Sequence, residues 1–405
     1  MSRPTVAIIE PSASGHRMFF AGHVAAAALL AGVEPTIITD TTSLEATATR
    51  EVCDRLALAS KDSQYKAVLK GVRGLLPSRP ATNPLQGERQ VYARLRELAT
   101  EVSAQGYGSF FLPYMDTCAR FVSLMGSPFG RTPMRGLVMR PSFQYRKMGV
   151  VAPSRRYDFA DEFLFRRLLT RPCVKGVFTI DPTLHAYASQ TSMRGLDRLI
   201  LVPDPADLAQ VPENPRKLLG LGTMGDYLLL YGTLDGRKGI QGLLAAATSP
   251  LFPKELTLLI AGRVTEEAQW VLNSNEARLL RAEGRLLERP GFQSDEEQAA
   301  LFHAASFVWV GYVNHFGSSG VLAQAAAASK PVIATREGLV GWQTKRFGLG
   351  ITVNPRNPEQ VAAAARNLLA EPSGARGESL LRFAGANSLA AFQATVSAHF
   401  GDDAV

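Results

Sequence analysis

The sequence predicts an α/β protein of two domains, each a parallel β-sheet wrapped by helices. Short apolar, β-branched runs alternate with helical stretches from the start of the chain. A length of 405 residues is enough for two or three domains with separate cores. The 46 % hydrophobic and 20 % charged shares are those of ordinary globular chains and exclude wholesale disorder or a collagen-like fibre.

In the first block, residues 5–10 read as a strand, 16–30 as a helix and 35–39 as a strand. A less regular stretch with prolines at 77–84 leads into a helix over 88–104. Strands follow at 109–113, 136–139 and 176–180, and RLILVPDP at 198–205 is a strand that runs into two prolines. The polar stretch after it, ending near Leu219, is the expected inter-domain connection.

The second block opens on YLLLY at 227–231, followed by helix 240–247, strand 256–261, helix 266–282 and strand 286–288. GFQSDEE at 291–297 opens a helix. Strand 307–310, helix 319–328 and strands 331–334 and 351–353 complete the sheet, and two amphipathic helices are expected at 358–370 and 378–400. The domain boundaries expected from this are 1–205, 206–375 and a C-terminal helix, 376–405, crossing back to the first domain.

No apolar run approaches the roughly 18 residues of a membrane-spanning helix, and the N-terminus lacks a signal-peptide layout. Cys53, Cys118 and Cys173 show neither disulfide nor zinc spacing, so a cytoplasmic protein is expected. The charge of +8 has one location: residues 131–175 carry eleven Lys/Arg against three acids. This basic window, with aromatics interleaved, suits an anionic membrane surface at the inner face or a phosphorylated acceptor. A solvated face has the same composition. Nucleic acid is not expected as a partner, because no motif for it accompanies the charge.

In open parallel sheets, ligands bind at the carboxyl ends of strands, where glycine lets backbone approach and helix N-termini favour anions. Two such sheets facing one another would make a deep cleft. The turn Ser14-Gly15-His16 after the first strand is one candidate, although it is not a dinucleotide fingerprint and a plain strand-to-helix turn has the same form. Gly232, Thr233, Arg237 and Lys238 form a second, able to neutralise phosphate but lacking the ending of a P-loop. The third is His315, Ser318, Ser319 and Gly320 before the helix that carries Gln324, where a serine would cap the helix or a phosphate would bind. Arg263, at the end of another strand, is the fourth.

Histidines are scattered singles, of which His16 and His315 are preferred for acid-base work because they lie in glycine-bearing turns. Neither a serine-hydrolase elbow nor a zincin motif is present, and no metal or other cofactor is expected.

YGTLDGRKGIQGLLAA, LTLLIAGRV, RPGFQSDEEQAALFHAASFVWVGY and SSGVLAQAAAASKPVIATREGLVG occur in this order. Together they resemble the donor-binding domain of GT-B fold glycosyltransferases of the large retaining, sucrose-synthase-like class (glycosyl transferases group 1). The resemblance runs from Tyr227 to about Pro372. It implies two Rossmann-like domains and a nucleoside-diphosphate sugar donor, with Lys238 as the diphosphate-binding lysine and Gly15 approaching the same phosphates. It places Phe292 and Ser294 beside the nucleotide base. The two glutamates that the class carries fall on Phe316 and Gln324, and Gln324 retains hydrogen-bonding capacity for ribose hydroxyls. The usual arginine is Thr233, which leaves Arg237 or Arg263 to supply the second charge. The usual first-domain histidine has no counterpart, and Arg140 or Asp116 lies in its region.

The expected function is transfer of a hexose to a hydroxyl of a glycan or lipid-linked acceptor in polysaccharide, glycolipid or glycoconjugate synthesis, with retention and without metal. The catalytic candidates are His16, Asp116, Arg140 and His315. Two alternatives are a non-catalytic nucleotide-sugar-binding or scaffold module that has lost the glutamates, and a sugar-nucleotide epimerase.

Overall fold

The structure, a computed structural model, describes residues 4–13, 17–61, 66–76, 81–103, 106–206, 210–222 and 225–400. The chain separates into two compact units. One comprises Met1–Met148, Ser154–Pro203 and Leu389–Val405, and the other Gly149–Pro153 and Asp204–Ser388.

The first unit is built on strands β1 (Thr5–Ile9), β2 (Glu34–Asp40), β3 (Val68–Val72), β4 (Ser109–Leu112), β5 (Met134–Val138), β6 (Val174–Thr179) and β7 (Leu199–Leu201). All pair in parallel, in the order β3-β2-β1-β4-β5-β6-β7. The strand order reverses between β1 and β4, which is where an open α/β sheet leaves a crevice at its carboxyl edge. Successive residues of β1 and β4 enter opposite cores: Ala7, Ile9, Phe110 and Leu112 pack on one side, and Val6, Ile8 and Phe111 on the other. Burial on both faces is why these strands read as unbroken apolar runs.

The second unit holds β8 (Asp226–Tyr231), β9 (Leu256–Gly262), β10 (Leu286–Pro290), β11 (Phe307–Val310), β12 (Val332–Thr335) and β13 (Gly350–Val353). These are also parallel, in the order β10-β9-β8-β11-β12-β13. Here the order reverses between β8 and β11. Leu228, Leu230 and Trp309 point into one core, and Leu229, Val308 and Val310 into the other.

Several elements differ from the sequence reading for identifiable reasons. The helix expected over 266–282 is two, Glu266–Leu272 and Asn275–Ala282, because the Ser274 side chain accepts the Ala277 N–H at 3.3 Å and starts the chain anew. The C-terminal helix is likewise two. Gly377–Ala386 stays with the second unit, and its successor Leu389–Ala398 belongs to the first, where Phe392 meets Phe20 at 5.9 Å between ring centres. Asn387 makes the break: its amide donates to the Phe383 carbonyl at 2.9 Å while its Oδ1 accepts the Asp204 N–H at 3.1 Å. The expected strand 198–205 shrinks to Leu199–Leu201, since Pro203 and Pro205 have no N–H for a ladder.

Helices Thr47–Ala59, Ala119–Met125, Asp158–Leu169, Pro182–Gln190 and Gly338–Phe347, and the half-exposed edge strand β3, were not anticipated. Gly338 begins its helix at φ +67, with its N–H donating to the Val151 carbonyl at 2.8 Å, so a tertiary contact and not a helix-start signal marks that boundary.

Candidate functional site

The loops that follow β8 and β11 meet where the second sheet reverses its strand order. Residues 232–239 leave β8 through Gly232 at φ +107 and Gly239 at φ +65, conformations that glycine adopts without strain. A Cβ at Gly239 would overlap the Gly311 carbonyl, and one at Gly262, at the end of β9, would overlap the Gly232 carbonyl. Glycine at these two positions therefore lets three strand ends close onto one another.

Lys238 sits at the centre of this meeting point. Its Nζ donates to the Tyr231 carbonyl at 2.9 Å and to the Tyr312 hydroxyl at 3.0 Å, and lies 4.6 Å from the centre of the Tyr312 ring. The Lys238 carbonyl accepts the Trp309 indole N–H at 2.8 Å, which pins its backbone to β11. Two of the three ammonium protons are thus taken by protein among the described residues, and the third has no partner there.

Tyr312 shares a hydrogen bond of 2.9 Å with Ser319 Oγ. Ser319 occupies the N-cap position of helix Gly320–Ala327 yet makes no side-chain cap bond, so the expectation that it caps the helix is corrected. Its hydroxyl is turned to Tyr312 instead, and while the Leu322 N–H bonds the Ser319 carbonyl at 3.0 Å, the Gly320 and Val321 amides receive no side-chain cap among the described residues. Ser318 does not cap either; its side chain bonds the buried Asp204, whose carboxyl burial pushes up to about 6. His315 Nε2 donates to the Ser318 carbonyl at 2.9 Å, and burial lowers the imidazole pKa, so the ring is neutral with Nδ1 as its acceptor. Gln324 lies one turn into the helix, half-buried.

Other predicted residues have different employment. Arg237 is folded back on Asp235 at 2.7 Å, so its charge is already paired. Thr233 and Arg263 are exposed, and Arg263 makes no ion pair among the described residues. The Ser294 hydroxyl accepts the Glu297 N–H at 3.2 Å in a capping box that starts helix Asp295–Ala304. Phe292 is 72 % exposed and lines a cavity of about 520 Å³ that also borders Leu219, Leu221, Arg289 and Gln293, along β10 and away from Lys238.

In the first unit, Asp116 accepts the N–H groups of Met139 and Arg140 at 2.8 and 3.0 Å. Both oxygens are occupied by backbone, so the carboxylate is a structural brace between β4 and β5 rather than an open base, while burial raises its pKa. The Arg140 side chain is exposed. Ser14, Gly15 and His16 lie outside the described residues. Sequence reasoning missed Tyr312 and Asp204. The first resembles any core tyrosine, and the second sits at the end of a segment read as a strand running into prolines.

Residues 225–371 match the family model for glycosyl transferases group 1. They form a glycosyl transferases group 1 domain. A glycogen synthase of Mycobacterium tuberculosis is 29 % identical over 189 residues, 45 % of this chain, and the match spans only 42 % of that protein's length. By structure, the chain is similar to sucrose-phosphate synthase from Thermosynechococcus elongatus, with TM-score 0.66, 17 % identity, and 96 % of each chain covered. WaaG, a glycosyltransferase of lipopolysaccharide biosynthesis, gives 0.62 at 14 % identity over 97 % of this chain and 98 % of its own. HepE from Anabaena, in complex with UDP and glucose, gives 0.62 at 12 % identity, covering 96 % and 97 %. The fold of the two units is GT-B. The loops after β8, β9, β10 and β11 described above are all parts of the glycosyl transferases group 1 domain.

The basic window divides in the structure. Arg135 is buried, Lys147 and Arg166 both pair with Glu162 at 2.7 Å, and Arg167 and Arg171 donate to the Ser123 carbonyl. Those charges serve the fold. Phe143, Tyr145 and Phe165 are core, whereas Tyr157, Phe159 and Phe163 are 68, 85 and 55 % exposed on and just before helix Asp158–Leu169, beside exposed Arg155 and Arg156. Among the described residues no helix is long and apolar enough to cross a membrane, and no three His, Cys, Asp or Glu side chains converge as a metal site.

Proposed function

We propose that the chain is a hexosyltransferase that moves a hexose from a nucleoside diphosphate sugar to an acceptor hydroxyl, with retention and without a metal, in polysaccharide, glycolipid or glycoconjugate synthesis. The observation that carries this reading is the Lys238 ammonium, held by Tyr231 and Tyr312 at the switch point of the sheet with one proton unmatched among the described residues. Membership of residues 225–371 in the glycosyl transferases group 1 family and the UDP and glucose bound to HepE support it.

The chemistry follows from charge. As the bond between the sugar C1 and the phosphate oxygen breaks, negative charge grows on the departing diphosphate. Lys238 and the uncapped amides of helix Gly320–Ala327 stabilise it without reorganising. The acceptor oxygen bonds C1 on the face the phosphate leaves, and its proton passes to the departing phosphate oxygen, so no protein nucleophile is needed. Gln324 takes hydroxyls of the donor through its amide.

The test is calorimetric titration of UDP, GDP, ADP and CMP into wild type and Lys238→Ala, followed by transfer assays on the nucleotide that binds. Binding of one nucleotide, lost in the variant, with acceptor-dependent release of the diphosphate supports transfer. Binding without turnover supports the non-catalytic module, a reading favoured by Phe316 and Gln324 at the glutamate positions. Donor conversion without an acceptor supports the epimerase.

We also infer a peripheral seat on the inner face of an anionic membrane, through Tyr157, Phe159 and Phe163 with Arg155 and Arg156. Exposed aromatics beside arginine match the chemistry of a lipid interface.

A further inference from the structure

The first unit carries a cluster of positive charge at the carboxyl ends of its central strands, to which Arg140 of the basic window belongs. Arg17 opens the helix Arg17–Leu30 after β1, Tyr114 follows β4, and Arg140 follows β5. Since β1, β4 and β5 are neighbours in the sheet, the three residues stand on adjacent strand ends. The Tyr114 ring gathers the two cations: the guanidinium carbon of Arg17 lies 4.5 Å from its centre, and that of Arg140 lies 5.2 Å away.

Two guanidiniums on one ring repel each other unless something negative is shared between them. The neighbouring carboxylates do not fill that role. Glu10 is 1 % exposed, accepts the Ser12 N–H at 3.1 Å and pairs with Arg17 Nη1 at 3.2 Å, so it offsets the charge of Arg17 but makes no bond to Arg140 among the described residues. Asp116 has both oxygens on the backbone N–H groups of Met139 and Arg140, and it acts on the Arg140 guanidinium only through the field of its charge. The Arg140 guanidinium is exposed and makes no ion pair among the described residues. A helix of 14 residues begins at Arg17 with no acidic residue in its first turn, so its dipole adds to the same positive field.

We propose that Arg17 and Arg140, braced on Tyr114, bind a phosphate group of the acceptor. The acceptor would then be a phosphorylated sugar, polyol or lipid whose phosphate docks on the first unit. Guanidinium suits phosphate because its planar fork meets two oxygens at once. The acceptor role rests on the transfer reading above, and the anion site itself does not.

Inorganic phosphate titrated into the full chain is the probe, with wild type, Arg140→Ala, Arg140→Lys and Lys238→Ala compared, and each titration repeated with a saturating nucleotide. With the nucleotide site saturated, Arg140→Ala is expected to weaken phosphate by about tenfold and Arg140→Lys by less, while Lys238→Ala reports any phosphate held at the donor site. Arg140 is exposed, so unchanged melting temperatures should show that the variants are folded. Wild-type affinity in Arg140→Ala overturns the proposal. Displacement of phosphate by the nucleotide also overturns it, because the site would then belong to the donor diphosphate. If no nucleotide binds while Arg140-dependent phosphate binding persists, the transfer reading has failed and the anion site stands. Soluble phosphomonoesters and vesicles of phosphatidic acid, compared as competitors, separate a free from a lipid-borne phosphate.

Discussion

The Lys238 ammonium donates to the Tyr312 hydroxyl at 3.0 Å and lies 4.6 Å from the centre of the same ring. One tyrosine thus fixes the cation in two ways, and Ser319, 2.9 Å from its hydroxyl, carries the link to the start of helix Gly320–Ala327. Tyr312→Phe keeps the ring and deletes the hydroxyl, which separates the two contributions. The expected result is a nucleotide affinity reduced by about three- to tenfold, as for one lost hydrogen bond, and a larger loss in Lys238→Ala. Calorimetry on both variants checks the order.

Gly262 and Gly291 both have positive φ, at +130 and +104, but differ in their surroundings. A Cβ at Gly262 would overlap the Gly232 carbonyl, whereas one at Gly291 meets open space. Alanine at 291 should cost about 1–3 kcal/mol from backbone strain alone. Alanine at 262 should cost more and should displace the Lys238 loop, so that nucleotide binding falls together with the melting temperature.

Asp204 gives the second unit a pH dependence of defined sign. Its carboxyl is raised from 3.8 to about 6 by burial, with Ser318 as its side-chain partner. The folded form therefore holds the proton more tightly than the unfolded chain. This contribution is complete below about pH 4 and is lost as pH rises through 6, for a total of about 3 kcal/mol at most. Asp204→Asn should stabilise the protein at pH 8, have little effect at pH 4, and flatten the profile between them. Denaturant melts across that range measure it.

His23 works in the opposite direction. Burial, with Arg55 nearby, lowers its pKa from 6.5 to about 4, and its Nδ1 lies 3.4 Å from Gln393 Nε2 on the returning helix Leu389–Ala398. Stability from the neutral ring is present above pH 6.5 and disappears as pH falls through 4. Acid should therefore release the C-terminal helix from helix Arg17–Leu30. His23→Gln should remove that acid sensitivity, as read by hydrogen exchange of residues 389–398.

Phe159→Ser with Phe163→Ser should abolish sedimentation with anionic vesicles, and Arg155→Glu with Arg156→Glu should weaken it in a salt-dependent way. Sedimentation equal to wild type in both pairs removes the membrane surface from the account.

Most strands and the site loops of the second unit were legible because their signals are local. TLDGRKG and HFGSSG sit between apolar runs, and a doubly covered parallel sheet writes such runs without alternation. The helix Gly338–Phe347 and the edge strand β3 were not legible, since a contact to Val151 decides where the first begins and the second has little burial to pattern it. The roles of Ser294 and Ser319 invert simple capping logic. Both precede helices, but only Ser294 has a glutamate three residues on to complete a capping box, while Ser319 has Tyr312 beside it.

By itself the sequence determined the α/β class, the two blocks and the positions of Lys238 and the glycine turns, because periodicity and turn chemistry act over a few residues. Only the tertiary structure decided which charges are paired within the fold and which stand exposed. Arg166 and Arg140 look equivalent in the sequence, yet one is paired to Glu162 and the other stands exposed on Tyr114. Long-range strand pairing brings residues 17, 114 and 140 together, and separations of that size leave no periodic trace in a chain.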